Sequence, residues 1–247
     1  MTGYFTNKQL IMPTAHVMAL RRLLLLLLVL HVALAITFDT PALPSSLPQL
    51  LALASSGDAE GAAALLASGG ASIEDVDGKS GGGALHWAAE AGHAAVIVAL
   101  GTSFRRDGVA DRRNRHGFAA LHLAAMNGHA AACEALLDVA GAAAGATTNE
   151  AVTALHLAAS NGNEALAALL MRRGGDPNAR DAERWTPLHK AAYRGKGAVA
   201  ARLIDGGSDA AALTGDGRNA AQLATATGHA ELAATLGATM ARLHAGL

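Results

Sequence analysis

The stretch TPLHKAAYRGK at residues 186–196 spells a short helix from its start to its stop. Thr186 can cap a helix N-terminus, and Pro187 suits the first turn, where a missing N–H costs nothing. Leu188 then points inward, and Ala191-Ala192 keep the helix thin enough for a neighbouring helix to approach closely. Gly195 falls where the helix must end, because a residue that adopts positive φ ends it at little cost.

Working outward, the same pattern recurs. ALHWAAEAGH stands at 84–93, ALHLAAMNGH at 120–129, ALHLAASNGN at 154–163 and AAQLATATGH at 220–229, with a weaker copy, QLLALASSGD, at 49–58. The glycines Gly57, Gly92, Gly128, Gly162, Gly195 and Gly228 are separated by 35, 36, 34, 33 and 33 residues. After each glycine a second helix is expected, from Leu166, Leu169 and Leu170 in one copy and Val199, Leu203 and Ile204 in the next, spaced to bury one face. Glycine pairs at 69–70, 174–175 and 206–207 end it. With this period and the complete Thr186-Pro187-Leu188-His189-Lys190-Ala191 motif, the sequence resembles the ankyrin repeat family. The resemblance implies an all-α solenoid of six stacked helix-turn-helix units over 48–244, joined by short β-hairpin or loop connections. A unit leaves an apolar face uncovered, so such an array needs atypical ends. The first copy has Leu51 in the His position, and the last has Ala221 and Gln222 with a longer final helix through Leu232, Leu236, Met240 and Leu243. Both read as caps.

Three departures carry expectations of their own. The copies that begin Gly83-Ala84, Ala119-Ala120, Thr153-Ala154 and Asn219-Ala220 are expected to start their helices more weakly than Thr186-Pro187. Thr102 to Arg113 replaces a regular loop and is expected to be irregular. The fourth copy, with Thr147 to Ala151, lacks the turn glycine found at Gly117 and Gly217, so a distorted hairpin is expected there.

The amino-terminal residues follow a different logic. Arg21 and Arg22 precede an apolar run from Leu23 to Ile36, 14 residues with His31 inside it, which suits the h-region of a secretory signal peptide better than a bilayer span. Ala33-Leu34-Ala35 supplies a cleavage signature, and a start at Met18 gives a compact signal peptide. Residues 1–35 are therefore read as a signal-peptide-like leader and 36–47, with Pro41 and Pro44, as a linker. A cleaved leader sends the protein to the secretory pathway or outside the cell. An uncleaved one leaves it membrane-anchored, and a false upstream start leaves it cytoplasmic.

Composition removes several classes of function. A net charge of -1 provides no global field for a polyanion, and Cys133 as the lone cysteine excludes an internal disulfide and a Cys-rich zinc site. Hydrophobic residues make up 51% of the chain but aromatics only 3%, so the core is Ala and Leu, which suits closely packed helices. The eleven histidines suggest metal at first sight, yet the seven-residue spacing of His86 with His93 and His122 with His129 is a product of the repeat. By the resemblance, His86, His122, His156 and His189 bond backbone and Thr groups between repeats. No cofactor or metal is expected. No nucleophile elbow or phosphate loop is present, and Cys133 falls at a core-facing helical position, so no catalytic residue is assigned.

What remains is the face the repeat does not use for packing. In the family, the hairpin tips and the residues just before the turn glycine line a concave partner-binding surface. Here those positions hold Arg115, His116, Phe118, Met126 and Asn127 in the third copy, and Asn149 and Glu150 in the fourth. They hold Glu183, Trp185, Tyr193 and Arg194 in the fifth copy and Arg218 in the sixth. Aromatic and Arg side chains dominate interface energetics, which places the expected hot spot in copies three to five. The function expected is a non-catalytic, monomeric interaction module or adaptor that binds a protein partner. The alternatives are a membrane-anchored scaffold or spacer, and a nucleic-acid-binding accessory that uses the arginines at 105, 106, 112, 113 and 115. An enzyme has no supporting constellation.

Overall fold

A computed structural model of the protein describes residues 48–107 and 109–245. The leader and linker read over 1–47 lie outside the described residues. The chain runs through α1 (Gln49–Ser56) and α2 (Ala59–Ala67), α3 (Ala84–Ala91) and α4 (Ala94–Asp107), then α5 (Ala120–Met126) and α6 (Ala130–Ala135). A π-helical turn at Leu136–Ala140 follows α6. After it come α7 (Ala154–Asn161) and α8 (Glu164–Arg172), α9 (Pro187–Tyr193) and α10 (Gly197–Asp205), and α11 (Ala220–Ala226) and α12 (Ala230–Ala245). First helices pack in one row, α1 on α3 through to α9 on α11, and second helices in another, α2 on α4 through to α8 on α10. Among the described residues no strand forms, and the hairpins keep only isolated bridges, Val76 with Gly83 and Thr147 with Thr153.

The packing follows from side-chain size. Ala88, Ala89, Ala124, Ala125, Ala158, Ala159, Ala191 and Ala192 have no exposed surface, so the first helices meet almost backbone to backbone. Leu121, Leu155 and Leu188 fill the space beneath, each contributing about 1.5–3 kcal/mol on full burial. The glycine between paired helices is required twice over at Gly92. Its φ is +79, and a Cβ there would lie 2.7 Å from the ring of His129, which projects back from the next pair.

Successive pairs are riveted by buried histidines. The backbone N–H of Gly83, Ala119, Thr153 and Thr186 donates to Nδ1 of His86, His122, His156 and His189, at 3.0–3.2 Å. Because Nδ1 accepts, Nε2 carries the proton and donates onward to the next pair. His86 reaches the Phe118 carbonyl at 3.1 Å, His156 that of Trp185 at 3.0 Å and His189 that of Ala212 at 3.0 Å. His122 reaches two carbonyls, Ala146 and Val152. Burial holds all four imidazoles below their ordinary pKa, and hydrogen bonds to the backbone act in the opposite direction.

The expected departures resolve differently. Gly83 and Ala119 indeed offer no side-chain cap. Thr153 and Asn219, however, cap α7 and α11 as Thr186 caps α9, so those two starts are not weak. The segment expected to be irregular over Thr102 to Arg113 is helical as far as Asp107 and, from Val109 to Arg113, has no regular element beyond a turn at Ala110 and Asp111. Leu100 and Phe104 extend the buried stripe begun by Val96 and Ile97, and the long 36-residue spacing is accommodated by a longer helix. The extra residue of the 34-residue spacing lies where α6 widens into the π turn that ends at Gly141. The hairpin without a turn glycine is not distorted. Ala151 takes the left-handed conformation itself, at φ 58, and Thr148 and Val152 keep the hairpin bond at 2.9 Å. Arg184 does the same at φ 63.

Candidate functional site

Each hairpin is held by the side chain that opens it. Asn114 Oδ1 accepts from the backbone N–H of His116 and Phe118, both at 3.0 Å, and Asp181 Oδ1 from Glu183 and Trp185, at 3.0 and 2.8 Å. Thr148 and Thr214 do this through a hydroxyl. Neighbouring hairpins are also joined, with the Arg115 N–H donating to Ser80, Ala182 to Glu150 and Gly215 to Glu183. The hairpin tips therefore form a rigid border beside the row of first helices, and the expected site residues stand on a fixed frame.

Two grooves open on this face. One, of about 500 Å³, lies between α7 and α9 and is bordered by the hairpins; it holds Glu183, Trp185, Tyr193, Arg194 and Arg218 of the expected set. The other, of about 370 Å³, lies between α3 and α5 and holds His116, Phe118 and Met126. Arg115, Asn127, Asn149 and Glu150 line neither. Arg115 donates to the Lys79 carbonyl at 3.1 Å and Asn127 to that of Glu90 at 2.9 Å, so both side chains join successive pairs.

The first groove has a preorganised aromatic wall. Trp185 meets Tyr193 edge to face with ring centroids 5.4 Å apart. Lys190 Nζ stands 4.7 Å from the Trp185 ring centroid and is held there by Asp181, at 2.7 Å, whose side chain is only 4% exposed. Tyr193 is 45% exposed. Lys190 and Asp181 were not among the expected site residues. The Asn, Thr or Asp that stands eight residues before His122, His156 and His189 was the available signal for Asp181, but Lys190 could be found only by knowing that it shares a groove with Trp185. Phe118 and Trp185 are half-buried against their own helices, edge-on to His122 and His189, with centroids 6.3 and 6.4 Å apart. Trp87 lines the second groove and packs on the core; its buried indole N–H has no acceptor among the described residues.

Other chemistry finds little here. Among the described residues no three His, Cys, Asp or Glu side chains converge to hold a metal ion. Burial pushes the Cys133 thiol up to about 12, which leaves it protonated and unreactive at neutral pH. The Arg218 guanidinium and the Thr214 hydroxyl hold Asp216 down at about 2. Four of the five arginines considered for nucleic acid are engaged with neighbouring pairs: Arg105 with the Asp138 carbonyl, Arg112 with Glu74, Arg113 with Thr147 and Arg115 with Lys79, while the side chain of Arg106 lies outside the described residues. Among the described residues no helix is long and apolar enough to cross a membrane.

The molecule is thus a helical-repeat solenoid with one face left free of the packing. The family model for ankyrin repeats matches at 49–150, 101–181 and 155–243, and the chain belongs to that family, whose members generally serve as protein–protein interaction modules. No protein of curated function matches the chain.

Proposed function

We propose that this chain is a non-catalytic interaction module of six repeats, capped by the first and last, that holds a protein partner on the face of hairpins and first helices. The observation that carries this reading is the Trp185, Tyr193 and Lys190 cluster. A large aromatic surface is fixed there before any partner arrives, so binding needs little further ordering. The grooves are open and lack a converging acid, base or nucleophile, which favours binding over turnover. Replacing both Trp185 and Tyr193 with Ala is expected to abolish capture of the partner from cell extract while circular dichroism keeps its helical signal; undiminished capture would overturn the assignment. The apolar leader supports action in the secretory route. N-terminal sequencing of the protein from its own cells should find Ile36 first, and a start at Met1 or Met18 would move the search to cytosolic partners.

A further inference from the structure

Of the chain's eight asparagines, only Asn127 and Asn161 precede a glycine. They occupy the same register in successive repeats, at the ends of α5 and α7, and both are exposed. Each side-chain amide reaches back to the preceding first helix: Asn127 Nδ2 donates to the Glu90 carbonyl at 2.9 Å, and Asn161 Nδ2 to the Met126 carbonyl. At the same register Ala91 and Arg194 make no such bond, and the Thr227 hydroxyl donates within its own helix. A glycine leaves its backbone nitrogen unhindered toward the side-chain carbonyl of the residue before it, because no Cβ stands beside it. In the fold that nitrogen is occupied. The Gly128 N–H donates to the Ala125 carbonyl and the Gly162 N–H to the Ala159 carbonyl, both at 3.2 Å. Both partners of an intramolecular reaction thus lie side by side, each engaged in another bond.

We propose that Asn127 and Asn161 are a pair of spontaneous deamidation sites, guarded by the helix ends and converted when a turn opens, and that conversion unties the repeats they join. With the turn open, the Gly128 nitrogen attacks Cγ of Asn127. The new C–N bond closes a succinimide ring while the bond from Cγ to Nδ2 breaks, and Nδ2 leaves as ammonia with the proton from the Gly128 N–H. Water then opens the ring at one of its two carbonyls, giving aspartate or isoaspartate. Gly162 and Asn161 react in the same way, and the only co-reactant is water. The carboxylate formed accepts hydrogen bonds and donates none. It would face the Glu90 or Met126 carbonyl oxygen and bring negative charge to the C-terminal end of α5 or α7, which is the negative end of the helix dipole. An attraction between repeats becomes a repulsion. Ala119 gives α5 no side-chain cap whereas Thr153 caps α7, so the turn at Asn127 opens more readily and converts first. This inference stands independently of the binding-face reading.

The test ages the full-length protein at mildly alkaline pH, folded and in urea, and maps amide-to-acid conversion by peptide mass spectrometry. Labelling with protein isoaspartyl methyltransferase reports the isoaspartate separately. Conversion is expected at Asn127 and Asn161 alone, with Asn127 leading, and at least about tenfold slower in the folded chain than in urea. Asn127→Gln keeps the amide but disfavours the ring, and should remove the signal at that position. Conversion spread over the other asparagines, none at either site in urea, or equal rates in fold and urea would overturn the proposal. The consequence for the repeats is read from urea midpoints. Asn127→Ala removes the bond to Glu90, and Asn127→Asp removes it and adds the charge, so the midpoint should fall from wild type to Ala and again from Ala to Asp. An Asp variant as stable as wild type would discard the untying, whereas the mapping would still decide the sites themselves.

Discussion

The junction between α3 and α5 and the junction between α7 and α9 share a framework and little else. Both are closed by a histidine whose Nδ1 accepts a backbone N–H and whose Nε2 donates to the next pair. At α7 and α9, Thr153 and Thr186 add a hydroxyl that donates to Nδ1 at 2.8 Å, while Gly83 and Ala119 at α3 and α5 bring none. The first region also absorbs a longer helix and a π turn without losing register. The histidine and the glycine are therefore what the repeat needs, and the Thr-Pro start strengthens a junction already formed. That latitude allows the two grooves to carry different side chains on the same scaffold.

The sharpest way to separate the two regions is to add one methyl group. Gly92→Ala would drive Cβ to 2.7 Å from the ring of His129, which is anchored to the Glu90 carbonyl, and would force an L-residue into positive φ. A loss of about 3 kcal/mol is expected in urea denaturation. At Gly162→Ala the atom met, at 2.8 Å, is a methylene of the flexible Lys196 chain, so the loss should be about 1 kcal/mol, the conformational cost alone. Equal losses would show that the ring does not set the requirement.

Acid tests what the two junctions share. The folded-state pKa of each buried histidine lies below the ordinary value of 6.5, so above that pH neither folded nor unfolded chain is protonated and the full stability is present. As pH falls below 6.5 the unfolded chain takes up protons that the folded chain refuses, and stability is lost until the folded-state values are passed. Thermal midpoints between pH 7.5 and 5 should fall with pH, with a shallower slope in His156→Gln. A flat profile would mean that the imidazoles stay accessible to protons in the fold.

Smaller effects probe the additions. Thr186→Ala should lose about 1 kcal/mol by chemical denaturation, bringing α9 to the condition of α5. Ala151→Gly and Arg184→Gly should each raise stability by about 0.5 kcal/mol, since relief of a left-handed L-residue slightly exceeds the entropy added to the unfolded chain. A loss at either position would show that the side chain contributes a contact outweighing its strain.

Much of the architecture was legible beforehand because the period repeats the same physical instruction. Leu188, the Ala pairs and the glycines announce helix, close approach and stop wherever they recur, and the long final helix was visible in Leu232, Leu236 and Met240. The misreadings arose where one copy was judged by the letters it lacked. Ala151 occupies the glycine conformation because Thr148 and the flanking hairpin bonds hold it there, and Thr102 to Asp107 continue a helix because Phe104 has a core to enter. For the face, Trp185, Tyr193 and Phe118 could be named from register. The assignment of Arg115 and Asn127 to inter-repeat bonds, and of Lys190 to the Trp185 ring, could not.

By itself the sequence determined the repeat, its helices and the positions turned toward or away from the core, since periodicity and residue size act within about thirty residues. Tertiary structure alone decided which exposed side chains are free. A charge or hydroxyl finds its partner on the neighbouring repeat, a full period away, and only stacking shows that Arg112 is paired while the side chains of Glu90, Glu183 and Arg194 have no partner among the described residues.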